Sequence, residues 1–258
     1  MNAQPARSRP DPPAPEAGPR PATPDEFRPT WHARSGRLTE RKRWALDELA
    51  GRHGVPSGTA DLAEGRAGVA LEIGAGTGEA ALALAAARPD LLVVAAEVHK
   101  ASLARLLLEL DDSGAANVRV AVGDGRTVLA GLTPSPTGPA EPVVEIVRVF
   151  FPDPWPKRRH HGRRLVDIPF VALAARALRP GGLLELATDH EPYARAMAAA
   201  VEAAGGFATV ATAGRADRPV TYYEQRALDA GRTVHDLRFR RLPAATGPAV
   251  GQDGVRWT

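Results

Sequence analysis

Leu71-Glu72-Ile73-Gly74-Ala75-Gly76-Thr77-Gly78 leaves a short apolar run, turns through three glycines and enters the alanine-rich stretch 79–87. Glycines let a ligand approach bare backbone, and a helix starting after such a turn offers unpaired N–H groups. In open α/β sheets ligands bind beyond the carboxyl ends of the strands, where a strand-to-helix turn of this kind sits. At this spacing alone, a tight turn without a ligand remains the alternative.

Outward from the turn, short β-like runs alternate with Ala/Leu-rich helical segments, the pattern of an α/β domain. Strands are expected over 69–73, 91–96, 118–122, 144–151, 183–187, 207–212 and 235–240, seven in all. Helices are expected over 41–50, 79–87, 100–110, 168–178 and 192–203. The fold class that follows is α/β and Rossmann-like, a seven-stranded, mostly parallel sheet with helices on both faces. The interval 212–235 is long and polar, and long ordered connections in compact domains tend to be functional.

The chain has 258 residues, with 33 Lys+Arg against 30 Asp+Glu and no Cys. Without cysteine there is no disulfide framework, thiolate zinc site, iron–sulfur cluster or Cys nucleophile. No apolar run approaches the roughly 20 residues needed to cross a bilayer, so a cytoplasmic protein with no membrane partner is expected. Residues 1–33 are rich in proline and arginine and hold few large apolar side chains, which predicts a disordered tail. Residues 243–258 read as a flexible tail, leaving 34–242 as the folded domain.

Acidic residues crowd the proposed ligand edge. Glu72 precedes the glycine turn, Glu97 ends the second strand and Asp124 ends the third. Glu97 stands where a carboxylate can accept both hydroxyls of a ribose, and Asp124 can accept from an adenine amino group. A solvated loop acid is the plain alternative for each. Glu72 beside the glycine turn would repel a dinucleotide's pyrophosphate, whereas S-adenosylmethionine carries an ammonium and a sulfonium and no phosphate, so the carboxylates favour it. The G-x-G-x-G spacing also departs from the dinucleotide fingerprint. The methyl donor is therefore the preferred cofactor. The expected strand order puts three parallel strands on one side of the first and the rest on the other, with an antiparallel edge strand.

The fourth strand runs into Phe150-Phe151-Pro152-Asp153-Pro154-Trp155-Pro156-Lys157-Arg158-Arg159-His160-His161-Gly162-Arg163-Arg164. Three prolines restrict the backbone, predicting a stiff extended loop that carries Asp153 to the ligand edge. A proline-rich strand exit with no further role is the alternative. No acid interrupts the cations between Asp153 and Asp167. A solvated face is the usual reading of such a run, but its position beside the proposed ligand edge favours RNA phosphate contacts by Arg159, His160, His161, Arg163 and Arg164. Arg34, Arg37, Arg41, Lys42 and Arg43 extend that surface in the same reading, and Trp155 is placed to stack on an exposed base.

This segment, together with LEIGAGTG, ATDHEPYA at 187–194, RPVTYYEQR at 218–226 and SGRLT at 35–39, resembles the bacterial tRNA (guanine-N7)-methyltransferases. The motifs stand in the family's order from about Arg34 to Arg241. The chain departs from the pattern at Gly162, where a further basic residue is usual. The resemblance implies a class I methyltransferase fold and transfer of the S-adenosylmethionine methyl to N7 of guanine 46 in the tRNA variable loop. The partner is then tRNA, the enzyme a monomer or homodimer, and no metal is involved.

By the same resemblance Glu72, Gly74, Gly76, Gly78, Glu97, Asp124 and Asp153 line the donor side, with Asp153 the active-site aspartate. Lys157, Asp189, Thr221, Tyr222, Tyr223 and Glu224 form the substrate side. Guanine presents N1–H and N2–H₂ donors that adenine lacks, so Asp189 and Glu224 are candidate readers. A helix N-cap is the competing role for Asp189. A nicotinamide-dependent oxidoreductase and a non-catalytic RNA-binding protein are the rival functions.

Overall fold

The computed structural model describes residues 38–55, 63, 65–134, 141–211, 214–215 and 218–243. The expected tails, apart from Pro243, lie outside these residues, as do Arg34, Arg37 and residues 135–140.

A helix opens the described chain as α1 (Glu40–Trp44), continues through a π-helical stretch Ala45–Leu49 and ends as α2 (Ala50–His53). Thr39 caps it, accepting from the Lys42 N–H at 3.4 Å. There follow β1 (Gly68–Ile73), α3 (Glu79–Ala87), β2 (Leu91–Glu97), α4 (Lys100–Ser113), β3 (Val118–Val122) and α5 (Gly125–Gly131). The second half holds β4 (Val144–Phe150), a 3₁₀ helix Arg158–Arg163, α6 (Ile168–Ala177), β5 (Leu178–Thr188) and α7 (Glu191–Ala204). It closes with β6 (Phe207–Thr209), α8 (Tyr222–Asp229) and β7 (His235–Arg241).

The seven strands form one sheet in the order β3-β2-β1-β4-β5-β7-β6. Pairing is parallel from β3 through β5, and β7 runs antiparallel to both neighbours. Two strands, not three, flank β1 on one side. The antiparallel strand is also not at the edge, because β7 inserts between β5 and β6. Phe239 of β7 is buried and its Leu237 packs on the core, while β6 is three residues long and mostly exposed. Such a strand suits an edge.

Side chains of β1 alternate between two cores. Val69, Leu71 and Ile73 join α5, α6 and α7 on one face, and Ala70 joins the N-terminal helix, α3 and α4 on the other. Fully buried leucines such as Leu106, Leu107 and Leu110 each contribute about 2 kcal/mol by leaving water. The charged ladder Arg148–Glu185–Arg238 crosses β4, β5 and β7 at matched register, with N···O distances of 2.7 Å.

Candidate functional site

The glycine turn closes between β1 and α3 with Gly74, Gly76 and Gly78 at φ of +75°, +59° and +95°. These left-handed values favour glycine. A Cβ on Gly78 would also lie 2.4 Å from Leu106 Cδ1, so α4 packs directly on the turn.

Glu97 buttresses the turn rather than standing clear of it. One carboxylate oxygen accepts from the Gly76 N–H at 2.8 Å, and the other from the Val98 and His99 N–H groups at 2.8 and 2.7 Å. A carboxylate has roughly four lone-pair sites, and three of Glu97's are taken. It therefore has room for one direct ribose hydroxyl bond, at Oε2, where two were expected. Asp124 is the N-cap of α5, receiving the Arg126 and Thr127 N–H groups at 2.9 and 3.4 Å on Oδ1 alone.

Glu72 differs from these. It is 4% exposed, lines the cleft above the turn, and its Oε2 has no hydrogen-bond partner. Burial pushes its carboxyl up to about 7, opposed by Arg148 and Arg218 and aided by Glu79 and Glu185. A buried carboxylate oxygen without a hydrogen-bond partner is costly to keep charged.

The cleft, about 180 Å³, is walled by the glycine turn and Glu79 on one side and by Phe150, Thr221, Tyr222 and Tyr223 on the other. Thr221 caps α8 through the Glu224 N–H at 3.4 Å, and Tyr222 and Tyr223 meet edge to face at 5.4 Å. A Cβ on Gly76 would be 4.0 Å from the Tyr223 ring, so α8 covers the turn. The Tyr223 hydroxyl is raised by burial and further by Glu97 and Asp153. Both carboxylates therefore act on the Tyr223 hydroxyl through their charge.

Glu224 is not free to read a base. It is 1% exposed, with one oxygen held by Arg215 at 2.8 Å and the other by Arg218. Arg218, itself 6% exposed, also grips Asp236 and lies over the Phe150 and Phe151 rings at 4.9 and 5.6 Å. This arginine ties α8, β7 and the end of β4 together. Asp189 is not a helix N-cap either, since His190 occupies that position in α7. Its Oδ2 pairs with Arg232 at 2.6 Å.

The loop after β4 carries two bulky residues in the left-handed region, Phe151 at φ +51° and Trp155 at +44°. Each costs on the order of 1–3 kcal/mol and needs strong surroundings. Phe151 donates its N–H to Ala187 O at 2.8 Å, and Arg164 Nε donates to Pro154 O at 2.9 Å. Asp153, between the two, is exposed.

The basic run is not a uniform phosphate surface, and Arg158–Arg163 of it fold as a 3₁₀ helix. Trp155 is buried, with Arg163 stacked on its ring at 3.8 Å and His160 edge-on at 5.8 Å, so it does not present itself to a base. Arg164 points inward, 6% exposed and over the Tyr193 ring at 4.7 Å, and burial pulls its guanidinium down. It pins the loop. Lys157, Arg158, Arg159 and His161 remain exposed. Sequence reasoning missed Arg126, which is buried and anchors the far end of the run through Leu165 O at 2.7 Å and Asp167 at 2.9 Å.

No helix among the described residues is long and apolar enough to cross a membrane, and no group of three or more His, Cys, Asp or Glu among them is placed to hold a metal.

A family model described as a putative methyltransferase matches residues 66–237. A tRNA (guanine-N(7)-)-methyltransferase of Nitrosococcus oceani is 39% identical over 214 residues, covering 81% of this chain and 88% of that protein. One of Halorhodospira halophila is 40% identical over 232 residues, covering 84% and 96%. Among solved structures, the 16S rRNA methyltransferase KamB gives a TM-score of 0.49 at 17% identity over 71% of this chain and 92% of that one.

Proposed function

The chain belongs to the tRNA (guanine-N(7)-)-methyltransferase family, and from that premise we propose that it methylates N7 of guanine 46 in the tRNA variable loop with S-adenosylmethionine as donor. The observation that carries the donor assignment is the unpartnered Oε2 of Glu72, a buried carboxyl oxygen on the cleft beside three left-handed glycines. A cation relieves it, and a pyrophosphate would aggravate it. This weighs against the nicotinamide alternative.

In this reading Glu72 receives the donor's ammonium, Glu97 Oε2 one ribose hydroxyl and Asp124 the adenine amino group. When bound, S-adenosylmethionine would supply a methyl on a positively charged sulfur, and the N7 lone pair of guanine, free at neutral pH, needs no strong base to accept it. Asp153 holds a carboxylate beside the acceptor as positive charge passes to the base, an electrostatic role that requires no proton transfer. Positioning supplies the rest. Asp189 keeps Oδ1 for the guanine edge. Glu224 acts through Arg218 on the wall formed by Thr221, Tyr222 and Tyr223. Lys157, Arg158, Arg159 and His161 face the RNA backbone.

Incubating purified protein with labelled donor and unmodified tRNA transcripts, then mapping the label, tests the assignment. Label at a variable-loop guanine N7 supports it, and absence of transfer favours an RNA-binding role without catalysis. Asp153→Asn should lower single-turnover transfer at least a hundredfold, on the scale of lost electrostatic stabilisation, while tRNA affinity changes less than about threefold. Near-wild-type transfer by that variant removes Asp153 from the centre.

A further inference from the structure

The acids explain how the cleft takes the donor's cations, but an amino-acid donor also carries an α-carboxylate. Glu72 and Glu79, both on the cleft wall, repel that group. Two cations line the same cleft, Lys42 from α1 and Arg105 from α4, beside Ala101 and Ser102. The same pair lines an adjoining groove with Thr39, Arg41, Glu109 and Asp112, so they stand where the two recesses meet. Arg41 is turned to Asp112 at 4.0 Å. Neither Lys42 nor Arg105 is held in an ion pair among the described residues.

We propose that Lys42 and Arg105 form an anion subsite that takes the α-carboxylate of the methyl donor. This rests on the donor reading above and extends it to groups outside the glycine turn. The arginine fork matches a carboxylate in two-pronged geometry, and the lysine adds a compact charge. An RNA phosphate is the competing occupant. The donor is favoured because the pair shares its cleft with Glu72, whereas none of the 3₁₀-helix cations lines it. The site divides by charge: carboxylates face the ammonium and sulfonium, and these two cations face the remaining end.

The test is calorimetric titration of the protein with S-adenosylmethionine and with its decarboxylated analogue, which lacks only this carboxylate. Wild type should bind S-adenosylmethionine roughly tenfold more tightly than the analogue, the scale of a charged hydrogen-bonded contact. In K42Q/R105Q both ligands should bind alike, near the wild-type affinity for the analogue, with an unchanged melting temperature. K42Q alone should lose part of the preference. A preference retained in the double variant overturns the proposal, as does equal binding of the two ligands by wild type. Retained preference with weakened tRNA binding assigns the pair to RNA instead. If wild type binds neither ligand, the donor reading itself fails.

Discussion

Glu72→Gln removes one titratable proton from the centre of the cleft and leaves the side chain's shape nearly unchanged. The wild-type carboxyl rises from 4.5 to about 7, with burial the main cause. At about 1.4 kcal/mol per pKa unit, ionised Glu72 costs the ligand-free fold about 3 kcal/mol. The group is 4% exposed, so solvent screening reduces this little. The sign follows from linkage. The folded state binds this proton more tightly than the unfolded chain, so its contribution is fully present below pH 4.5 and is lost as pH rises to about 7. Urea unfolding of both proteins between pH 4.5 and 8 reads the difference directly, since other groups titrate alike in both. The glutamine variant should match wild type near pH 4.5 and exceed it by about 3 kcal/mol above pH 7, a large share of an ordinary domain's 5–15 kcal/mol. Curves that run parallel across the range refute the reasoning. A saturating cationic ligand should shrink the gap, because it lowers the wild-type pKa and binds with proton release near pH 6.

Gly78→Ala places a methyl 2.4 Å from Leu106 Cδ1 at φ +95°, so a loss of about 1–3 kcal/mol is expected by thermal or urea unfolding. Within the basic run, exposed and buried arginines should respond differently to substitution. R158Q/R159Q should lower the slope of log affinity against log salt by about 0.7 per lost single-strand phosphate contact and keep the melting temperature, whereas Arg164→Ala should lower the melting temperature and keep the slope. Filter binding in a potassium chloride series and thermal melts check both. Arg218→Met strips Asp236 of its cation and leaves Glu224 with Arg215 alone. A loss of about 3–5 kcal/mol is expected in denaturant unfolding.

The elements that shape the donor side were legible because their signals are local. Alternation and the three glycines marked β1 and the start of α3, and Val118–Val122 was bounded by glycine and polar residues at each end. α8 was missed inside a polar interval, although Thr221-Tyr222-Tyr223-Glu224 has the spacing of a capping box. Its helical face is short, with only Glu224 and Ala227 buried. α5 escaped for a similar reason, its Asp124 cap having been given solely to a ligand. The basic run shows what spacing does not encode. Whether Arg164 or Arg159 faces water depends on Tyr193 and Pro154 packing behind one of them, and that arrangement is tertiary. The order of the last strands is likewise set by which run can bury a phenylalanine, not by succession along the chain.

The two borders of the sheet are shut by different means. Along β3 the chain after α2 lays a single bridge, Gly54 against Val120, with Val55 N–H donating to Val120 O at 3.0 Å. At the opposite border β6 exposes only three residues. Among the described residues neither rim presents a long, bare row of amides for a foreign strand to extend, so these edges offer little template for lateral growth into aggregates.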